Sequence, residues 1–485
     1  MDRLSKIKLL AHRQCSKRLW LETYRPERAG AEDGAEARMQ VGLEVGEIAR
    51  SLHPGGVLIE GSDLTRALVE TTDHLAARPR RPLFEATFEY RGVQVRTDLL
   101  LPAKRGWRLV EVKASASVKP VHPADVAIQA WVAEGAGVRL AETALACIDT
   151  GFVYPGGGDY RGLFAEHPMD EAIEELRVQL PQWVRAARAT LAGPEPDIEP
   201  GDRCTDPYEC PFLAYCEPPE AETGYPPEIL PRAGALAAAL REEGYTDLRE
   251  IPAGRLDRPL HERIRAATAS GVPYLDPEAK RILEPLGHPR HYLDFETIQF
   301  AIPIWTGTRP YQQVPFQWSC HIKHEDGTLT DHGYLAEDMN DPRPAFVDTL
   351  CATVQSRGPV FVYNAAFERN RLRELTETYP SRAKALGSMI NRLVDLLPLA
   401  RKHYYHPDMH GSWSLKAVAP TIDPALAYEN LEEVANGGMA QEAFLELIAP
   451  DTPAGRCVAL RNALITYCGR DTFALVRLAH RFSGD

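Results

Sequence analysis

The sequence predicts an α/β protein made of two separate α/β units joined by a helical connector, and three observations carry that prediction. At 485 residues the chain exceeds what one ordinary core supports, so two or three domains are expected. Strand-like apolar runs alternate with helix-spaced segments in two blocks, one before about Cys216 and one after His291. Between them, EPPEAETGYPPEILPR is rich in Pro and Glu without apolar periodicity, which marks a boundary. The expected divisions are 1–220, a connector over 221–288 and a second unit over 289–485.

The first block opens with helical segments, passes through a strand-rich middle and ends in a helix that leads to a cysteine cluster. In the connector, GALAAALREEGYTDLREI and LHERIRAATASG have helical apolar spacing. The second block begins with the strand HYLDFE. A hairpin of FQWSCHIK and LTDHGYLA follows, turning around Glu325-Asp326-Gly327-Thr328.

Composition narrows the function classes. Apolar residues at 44% and charged residues at 25% describe a folded globular protein. No run of about 18 apolar residues occurs, and the opening MDRLSKIKLLAHRQC lacks an apolar signal core, so a cytoplasmic protein without a membrane partner is expected. A net charge of -13 argues against coating nucleic acid by bulk electrostatics, yet it is compatible with acidic metal sites beside a local basic groove. Nine cysteines, odd in number and spread along the chain, do not form a disulfide framework.

In VQVRTDLLLPAKRGWRLVEVKAS, two short strands are expected, one ending with Asp98 and one carrying Glu111 and Lys113. On a strand Glu111 and Lys113 share a face while Val110 and Val112 enter the core. Two carboxylates beside a lysine suit metal-assisted phosphodiester cleavage, with Asp98 and Glu111 on magnesium and Lys113 orienting water or stabilising charge. A second D-x-E-x-K, at Asp276-Pro277-Glu278-Ala279-Lys280, reads instead as a helix start with Asp276 as cap.

Over roughly the first 216 residues this pattern resembles the RecB-like branch of the PD-(D/E)XK nucleases, which includes CRISPR-adaptation exonucleases. The resemblance implies a restriction-endonuclease-like core. It also implies a further acidic metal ligand on the opening helix, where GLEVGEIAR offers Glu47, with Glu44 as the alternative. Gln129 in PADVAIQAWV falls near the family's glutamine motif and is the expected substrate-binding residue; the alternative is a plain polar helix position. The family's helix histidine is absent, with Gly46 near its place, and so is the tyrosine after the glutamine.

CTDPYECPFLAYC spaces Cys204, Cys210 and Cys216 evenly, and Cys15 lies near the N-terminus. Four thiolates can hold an iron-sulfur cluster or zinc, and spacing alone does not choose. The segment does not form the apolar helical face expected of buried free thiols. One early cysteine plus three after the nuclease core is the RecB-like arrangement, which implies a 4Fe-4S cluster, with zinc as the alternative. Cys147, Cys320, Cys351, Cys457 and Cys468 read as core.

In the second block, HYLDFET puts Asp294 and Glu296 on one strand face, a costly pair unless a divalent metal neutralises it. VFVYNAAFERNRL reads as a strand entering a helix, with Asn364 as N-cap and Glu368 on the first turn. ITYCGRDTFALVRL reads as an amphipathic helix with Tyr467 and Asp471 on one face. The order D-x-E, N-x-x-F-E, Y-x-x-x-D over about 289–485 resembles the DnaQ-like exonucleases of the RNase H fold, in the subgroup whose last motif contains a tyrosine. That implies two metal ions held by Asp294, Glu296, Glu368 and Asp471, with Tyr467 positioning the attacking water. Here the second motif ends in Glu where the family usually has Asp. The half also resembles a bacterial domain class of unknown function, on DFETIQFAIPIWTGTRPYQQVPFQWSCHI and HGSWSLKAVAP.

Gln317, Ser319, His321, Trp413 and Lys416 are further candidates for a nucleic-acid groove, with Trp413 alternatively core. Asp395 in RLVDLLPLARK reads as a helix-start residue or as one that supports a metal ligand, not as a ligand itself. Asn364 joins Gln129 as an expected substrate contact.

The resemblances together imply a metal-dependent nuclease acting on DNA rather than RNA, single-stranded, with two nuclease sites that use magnesium or manganese. One of these is a 3'-5' exonuclease. Roles in DNA repair or phage defence would suit such an enzyme. The alternative is a nucleic-acid-binding protein whose iron-sulfur first half is inactive, leaving one active site or none.

Overall fold

Period-two apolar runs and long helix-spaced segments build a mixed α/β chain with several sheets and many helices. The computed structural model describes residues 4–30, 34–61, 63–217, 224–431 and 433–484, which fall into two compact units. Residues 218–223 of the expected Pro/Glu-rich boundary lie outside that description. No helix among the described residues is long and apolar enough to cross a membrane.

The first unit comprises Met1–Glu220 and Phe300–Tyr311. Its helices are α1 (Lys6–Gln14), α2 (Ser16–Tyr24), α3 (Ala35–Ser51), α4 (Leu64–Ala76), α5 (His122–Gly135), α6 (Asp170–Ala192) and α7 (Leu213–Cys216). Its strands are β1 (Leu4–Ser5), β2 (Val57–Leu58), β3 (Leu83–Tyr90), β4 (Val93–Ala103), β5 (Gly106–Lys113), β6 (Leu140–Ile148) and β7 (Phe164–Pro168). They form one sheet in the order β2-β3-β4-β5-β6-β7, with β1 beside β4. β3, β4 and β5 are antiparallel, while β6 runs parallel to β5 after the crossover that α5 provides. Both faces are covered. Leu109 packs with Val126 and Ile128 of α5, whereas Val110 and Val112 pack with Val45 and Ala49 of α3. Strand alternation therefore turns Glu111 and Lys113 toward the α5 side. Asp98 lies within β4, which continues to Ala103 instead of ending at the aspartate.

The second unit comprises Ala221–Gln299 and Gln312–Asp485. The expected connector supplies α8 (Gly234–Glu242), α9 (Pro259–Ser270), β8 (Tyr274–Leu275) and α10 (Glu278–Leu283). Leu240, Ile264 and Leu283 of this segment share a core with Tyr292, Phe361 and Leu478, so it packs into the second unit instead of standing apart. Then follow β9 (Arg290–Ile298), β10 (Val314–Lys323), β11 (Leu329–Leu335), α11 (Arg343–Thr353), β12 (Val360–Val362), α12 (Ala366–Thr378), α13 (Ala383–Asn391), β13 (Leu393–Asp395) and α14 (Leu396–His403). The chain closes with β14 (Tyr404–Tyr405), α15 (Leu415–Ile422), α16 (Gly437–Ile448) and the long α17 (Ala454–Ser483).

The main sheet runs β11-β10-β9-β12-β13, with β9, β10 and β11 antiparallel and β12 and β13 parallel to β9. β8 pairs with β14 in a small separate ribbon. Leu293 and Phe295 of β9 join the core under α11 and α12, while Tyr292 joins that of α17. Alternation then points Asp294 and Glu296 at α17. Polar residues of β10 fix that helix: Ser319 Oγ lies 2.9 Å from Thr472 Oγ1, His321 Nδ1 lies 2.8 Å from the same hydroxyl, and Gln317 Nε2 donates to Leu464 O at 2.8 Å.

Candidate metal centres

In the first unit, neighbouring strands and two helices bring charges from four parts of the chain together. Lys6 of α1 places Nζ 2.9 Å from Glu111 Oε1 and 2.8 Å from Asp125 Oδ1. Lys113 places its own Nζ 2.6 Å from Glu111 Oε1 and 2.7 Å from Asp125 Oδ2. Each lysine thus bridges both carboxylates. Gln129, one turn after Asp125 on α5, donates from Nε2 to Glu111 Oε2 at 2.5 Å and to Asp125 Oδ1 at 2.9 Å. It is fully buried with this charge cluster.

Asp98 accepts a hydrogen bond from Val112 N–H at 2.7 Å, which seats it beside Glu111. Burial and the Glu111 charge push its carboxyl well above the ordinary range. Burial alone would raise Glu111 as well, but Lys6 and Lys113 overrule it and hold that group far below normal. Glu47 on α3 is exposed. A carboxylate that the sequence reading did not name, Glu85, sits across from Asp98 on β3 in the left-handed backbone region, at φ 55. Burial raises its pKa, opposed by Arg50 and Arg96, and Glu111 adds to the rise. Lys6 and Asp125 were also missed. Nothing local distinguishes a lysine on a short helix from a solvated one, and only the topology brings Lys6 to Glu111.

Cys15, Cys204, Cys210 and Cys216 line one small cavity, packed with Leu21 and Phe212. Gln14 Nε2 reaches back to Arg203 O at 2.8 Å and to Tyr208 O at 2.6 Å, tying the N-terminal helices to the cysteine-bearing loop. Of the five cysteines expected in the core, Cys147, Cys320 and Cys468 are buried, but Cys351 and Cys457 are only partly so.

The second unit gathers acids instead of pairing them. Among the described residues, Asp294, Glu296 and Cys468 each place a ligand atom within 4.8 Å of the others. Cys468, expected as plain core, therefore borders the acidic pocket, its Sγ 3.8 Å from Asp294 Oδ2. Asp471 faces the same pair from α17 and accepts a hydrogen bond from Tyr428. Glu368 is buried on the first turn of α12, and its Oε2 has no hydrogen-bond partner among the described residues.

The electrostatics follow. Burial, then Asp471, Glu296 and Glu368, push Asp294 well above the carboxylate range. Burial and Asp471 raise Glu296 to about 8, burial raises Glu368 to about 8, and burial lifts Asp471 to about 6. The Lys416 charge opposes the rise at Glu296 and Asp471. Lys416 Nζ donates to Ala435 O at 2.6 Å and lies 5.6 Å from the Tyr467 ring. The Tyr467 phenol is raised by burial and by Asp471, Glu296 and Asp294, so it stays protonated.

Asn364 departs from expectation. It is exposed, adopts φ 72 and does not cap α12, whose N-cap is Ala365. Asp395 holds that turn, accepting from the backbone N–H groups of Asn364, Ala365 and Leu397, each at 3.0 Å. Trp413 is buried and its Nε1 donates to Ala400 O and Tyr404 O, so it is not available for base stacking. Gln317, Ser319 and His321 are engaged in anchoring α17.

Comparison with known proteins covers part of this chain. A family model described as Domain of unknown function (DUF2779) matches residues 291–414, a stretch that holds Asp294, Glu296 and Glu368. An uncharacterized protein of Mycoplasma pneumoniae is 26% identical over 224 residues, 41% of this chain and 33% of that protein. An uncharacterized protein of Mycoplasma genitalium is 25% identical over 209 residues, 39% of this chain and 31% of that protein. The chain thus spans about a third of the length of the curated relatives it matches. No solved structure matches.

Proposed function

We propose that this protein hydrolyses phosphodiester bonds of DNA in a metal-dependent reaction, with a 3'-5' exonuclease centre at Asp294, Glu296, Glu368 and Asp471. The observation that carries the reading is the buried carboxyl of Asp294, which lies with Glu296 in one ligand-sized group and is raised by the charges of Asp471, Glu296 and Glu368, while Glu368 Oε2 is buried without a hydrogen-bond partner among the described residues. A buried acidic group of this kind lacks a counter-charge, and divalent cations with oxygen ligands supply one. The sheet order β11-β10-β9-β12-β13, antiparallel then parallel, supports an RNase H-like assignment. Magnesium or manganese bound there would neutralise the phosphate and activate water as a Lewis acid. The chain itself contributes the protonated Tyr467 phenol, which makes no hydrogen bond among the described residues and is free to orient water or a phosphate oxygen.

In the first unit the order of strands and the Asp98, Glu111, Lys113 and Gln129 grouping support a RecB-like PD-(D/E)XK module. Its four cysteines line one cavity and supply the four thiolates that a 4Fe-4S cluster takes, as the RecB-like resemblance implies, with zinc as the alternative.

One observation favours a second reading for this unit: Lys6 and Lys113 already neutralise Glu111 and Asp125. The first half would then bind DNA without cutting it.

The test is digestion of 5'- and 3'-end-labelled single and double strands, DNA and RNA, by the purified chain with magnesium or manganese. Degradation from the 3' end, stopped by chelator and abolished by Asp294→Asn, is expected. No degradation of any strand would overturn the nuclease reading. Loss of activity with Glu111→Ala supports two working sites, and its retention supports the binding-only first half.

A further inference from the structure

The turn that begins α12 has two sides. On one, Glu368 enters the acidic pocket. On the other, Tyr363 and Asn364 line a cleft of 730 Å³ within the second unit. Asp395 braces both sides at once, since it holds the backbone of Asn364 and Ala365 and also that of Leu397, another cleft residue. Asn364 on the cleft wall stands four residues before Glu368 in the chain.

The cleft wall is cationic. Arg232, Arg258 and Arg401 line it, all three exposed, and no Asp or Glu among the described residues does. None of their guanidiniums has a carboxylate partner among the described residues. Other exposed arginines of this unit are paired, Arg241 with Glu228 at 2.9 Å, Arg382 with Asp348 at 2.7 Å and Arg461 with Glu337 at 2.7 Å, while Arg357, Arg373 and Arg481 are exposed without a carboxylate partner among the described residues but do not line this cleft. In a chain of net charge -13, three unpaired arginines on one wall concentrate positive potential at that place. His261 adds a buried imidazole whose Nδ1 has no hydrogen-bond partner among the described residues, while its Nε2 lies 3.0 Å from Pro231 O. Guanidiniums left without carboxylates suit phosphates, which they grip in bidentate fashion. At 730 Å³ the cleft also has room for more than one phosphate.

We infer that this cleft binds the sugar-phosphate backbone of a single nucleic-acid strand whose end enters the acidic pocket at Asp294, Glu296, Glu368 and Asp471. The inference rests on the exonuclease reading for the direction of the strand. It goes further by assigning the polyanion path and the residues that hold it. Recognition is by phosphates and so is indifferent to base sequence.

The test is fluorescence anisotropy of a labelled oligothymidylate with the full chain in chelator, where no hydrolysis can occur. Binding is measured across a salt series for the parent protein and for Arg232→Gln/Arg258→Gln/Arg401→Gln, and Arg281→Gln serves as a control outside the cleft. All are exposed positions, and matching thermal melts confirm the fold. The triple variant is expected to bind at least tenfold more weakly and to lose about 2 from the slope of log affinity against log salt, at roughly 0.7 per phosphate for single strands. Unchanged affinity and slope would overturn the inference, as would displacement of the oligonucleotide by polyglutamate at equal charge. Degradation by the parent protein with no arginine effect on binding sinks this inference and spares the exonuclease reading. Arginine-dependent binding without degradation does the reverse.

Discussion

Lys6 and Glu111, 105 residues apart in the chain, meet at 2.9 Å in the first unit, where the Lys6 ammonium also contacts Asp125. This pairing, with that of Lys113, leaves Glu111 and Asp125 neutralised by side chains, whereas the acids gathered in the second unit have no ammonium in contact among the described residues. The two centres therefore differ in what they need from solution.

Replacing Lys6 by methionine keeps the aliphatic stem and removes one of two ammonium groups from two buried carboxylates. Removing one partner of such a pair costs about 3–5 kcal/mol, because the remaining charge stays buried and uncompensated. A thermal melt of Lys6→Met should show a clear loss relative to the parent protein. If the first unit holds a divalent metal at Glu111, magnesium should restore part of that loss. A melt unchanged in the absence of metal would mean that the ring of charges contributes nothing to the fold.

The second centre sets a pH dependence whose sign can be worked out. Folded Glu296 and Glu368 keep their protons up to about 8, while their ordinary value is 4.5. Between those values the folded state binds more protons than the unfolded one. The stability they confer is therefore complete below about 4.5 and lost as pH rises through about 8, at about 1.4 kcal/mol per pH unit for each group. Histidines with lowered pKa, such as His291 and His321, act in the opposite sense but only below their ordinary value of 6.5. In chelator, stability should thus fall from pH 6.5 to 8, and magnesium should suppress the fall. Glu296→Gln/Glu368→Gln should flatten the profile, and a melting temperature that rises over this interval would contradict the assignment.

Tyr467 lies one helical turn before Asp471, and its phenol is kept protonated by burial and the surrounding acids. Tyr467→Phe preserves the ring and its edge contact with Tyr428 at 6.3 Å, removing only the hydroxyl. If that hydroxyl orients water, kcat for degradation of single-stranded DNA should fall by about a hundredfold while KM and melting temperature stay close to the parent values. Equal kcat, or a loss that follows the melting temperature, would make the tyrosine structural.

How far the sequence exposes these features depends on the range of the interaction. The hairpin of β10 and β11 is legible because apolar alternation and Asp326-Gly327 are local signals, and Gly327 takes φ 86 at the turn. Asp294 with Glu296 and Tyr467 with Asp471 are legible as shared faces, since strand and helix periods decide them. Lys6, Asp125 and Glu85 are not, because their proximity to Glu111 comes from strand order and a crossover helix. Asn364 was misjudged for a related reason: Asp395, from the next strand, supplies the backbone hydrogen bonds that a local cap would have supplied.

The cysteine cavity yields the last prediction. Cys15 sits between α1 and α2, while Cys204, Cys210 and Cys216 belong to the loop and short helix at the far end of the unit's sequence. A cluster across them closes a loop of nearly the whole unit, and cross-links over long loops restrict the unfolded chain most. Anaerobic purification should therefore give about four iron and four acid-labile sulfide per chain, with visible absorbance lost on oxidation. Cys15→Ser should lower both iron content and melting temperature, while Cys351→Ser, at a half-buried cysteine outside the cavity, should leave iron content unchanged. One zinc per chain with no sulfide would assign the site to zinc. Neither metal in anaerobic protein would leave the four thiols as a packing feature, with Leu21 and Phe212 as their core.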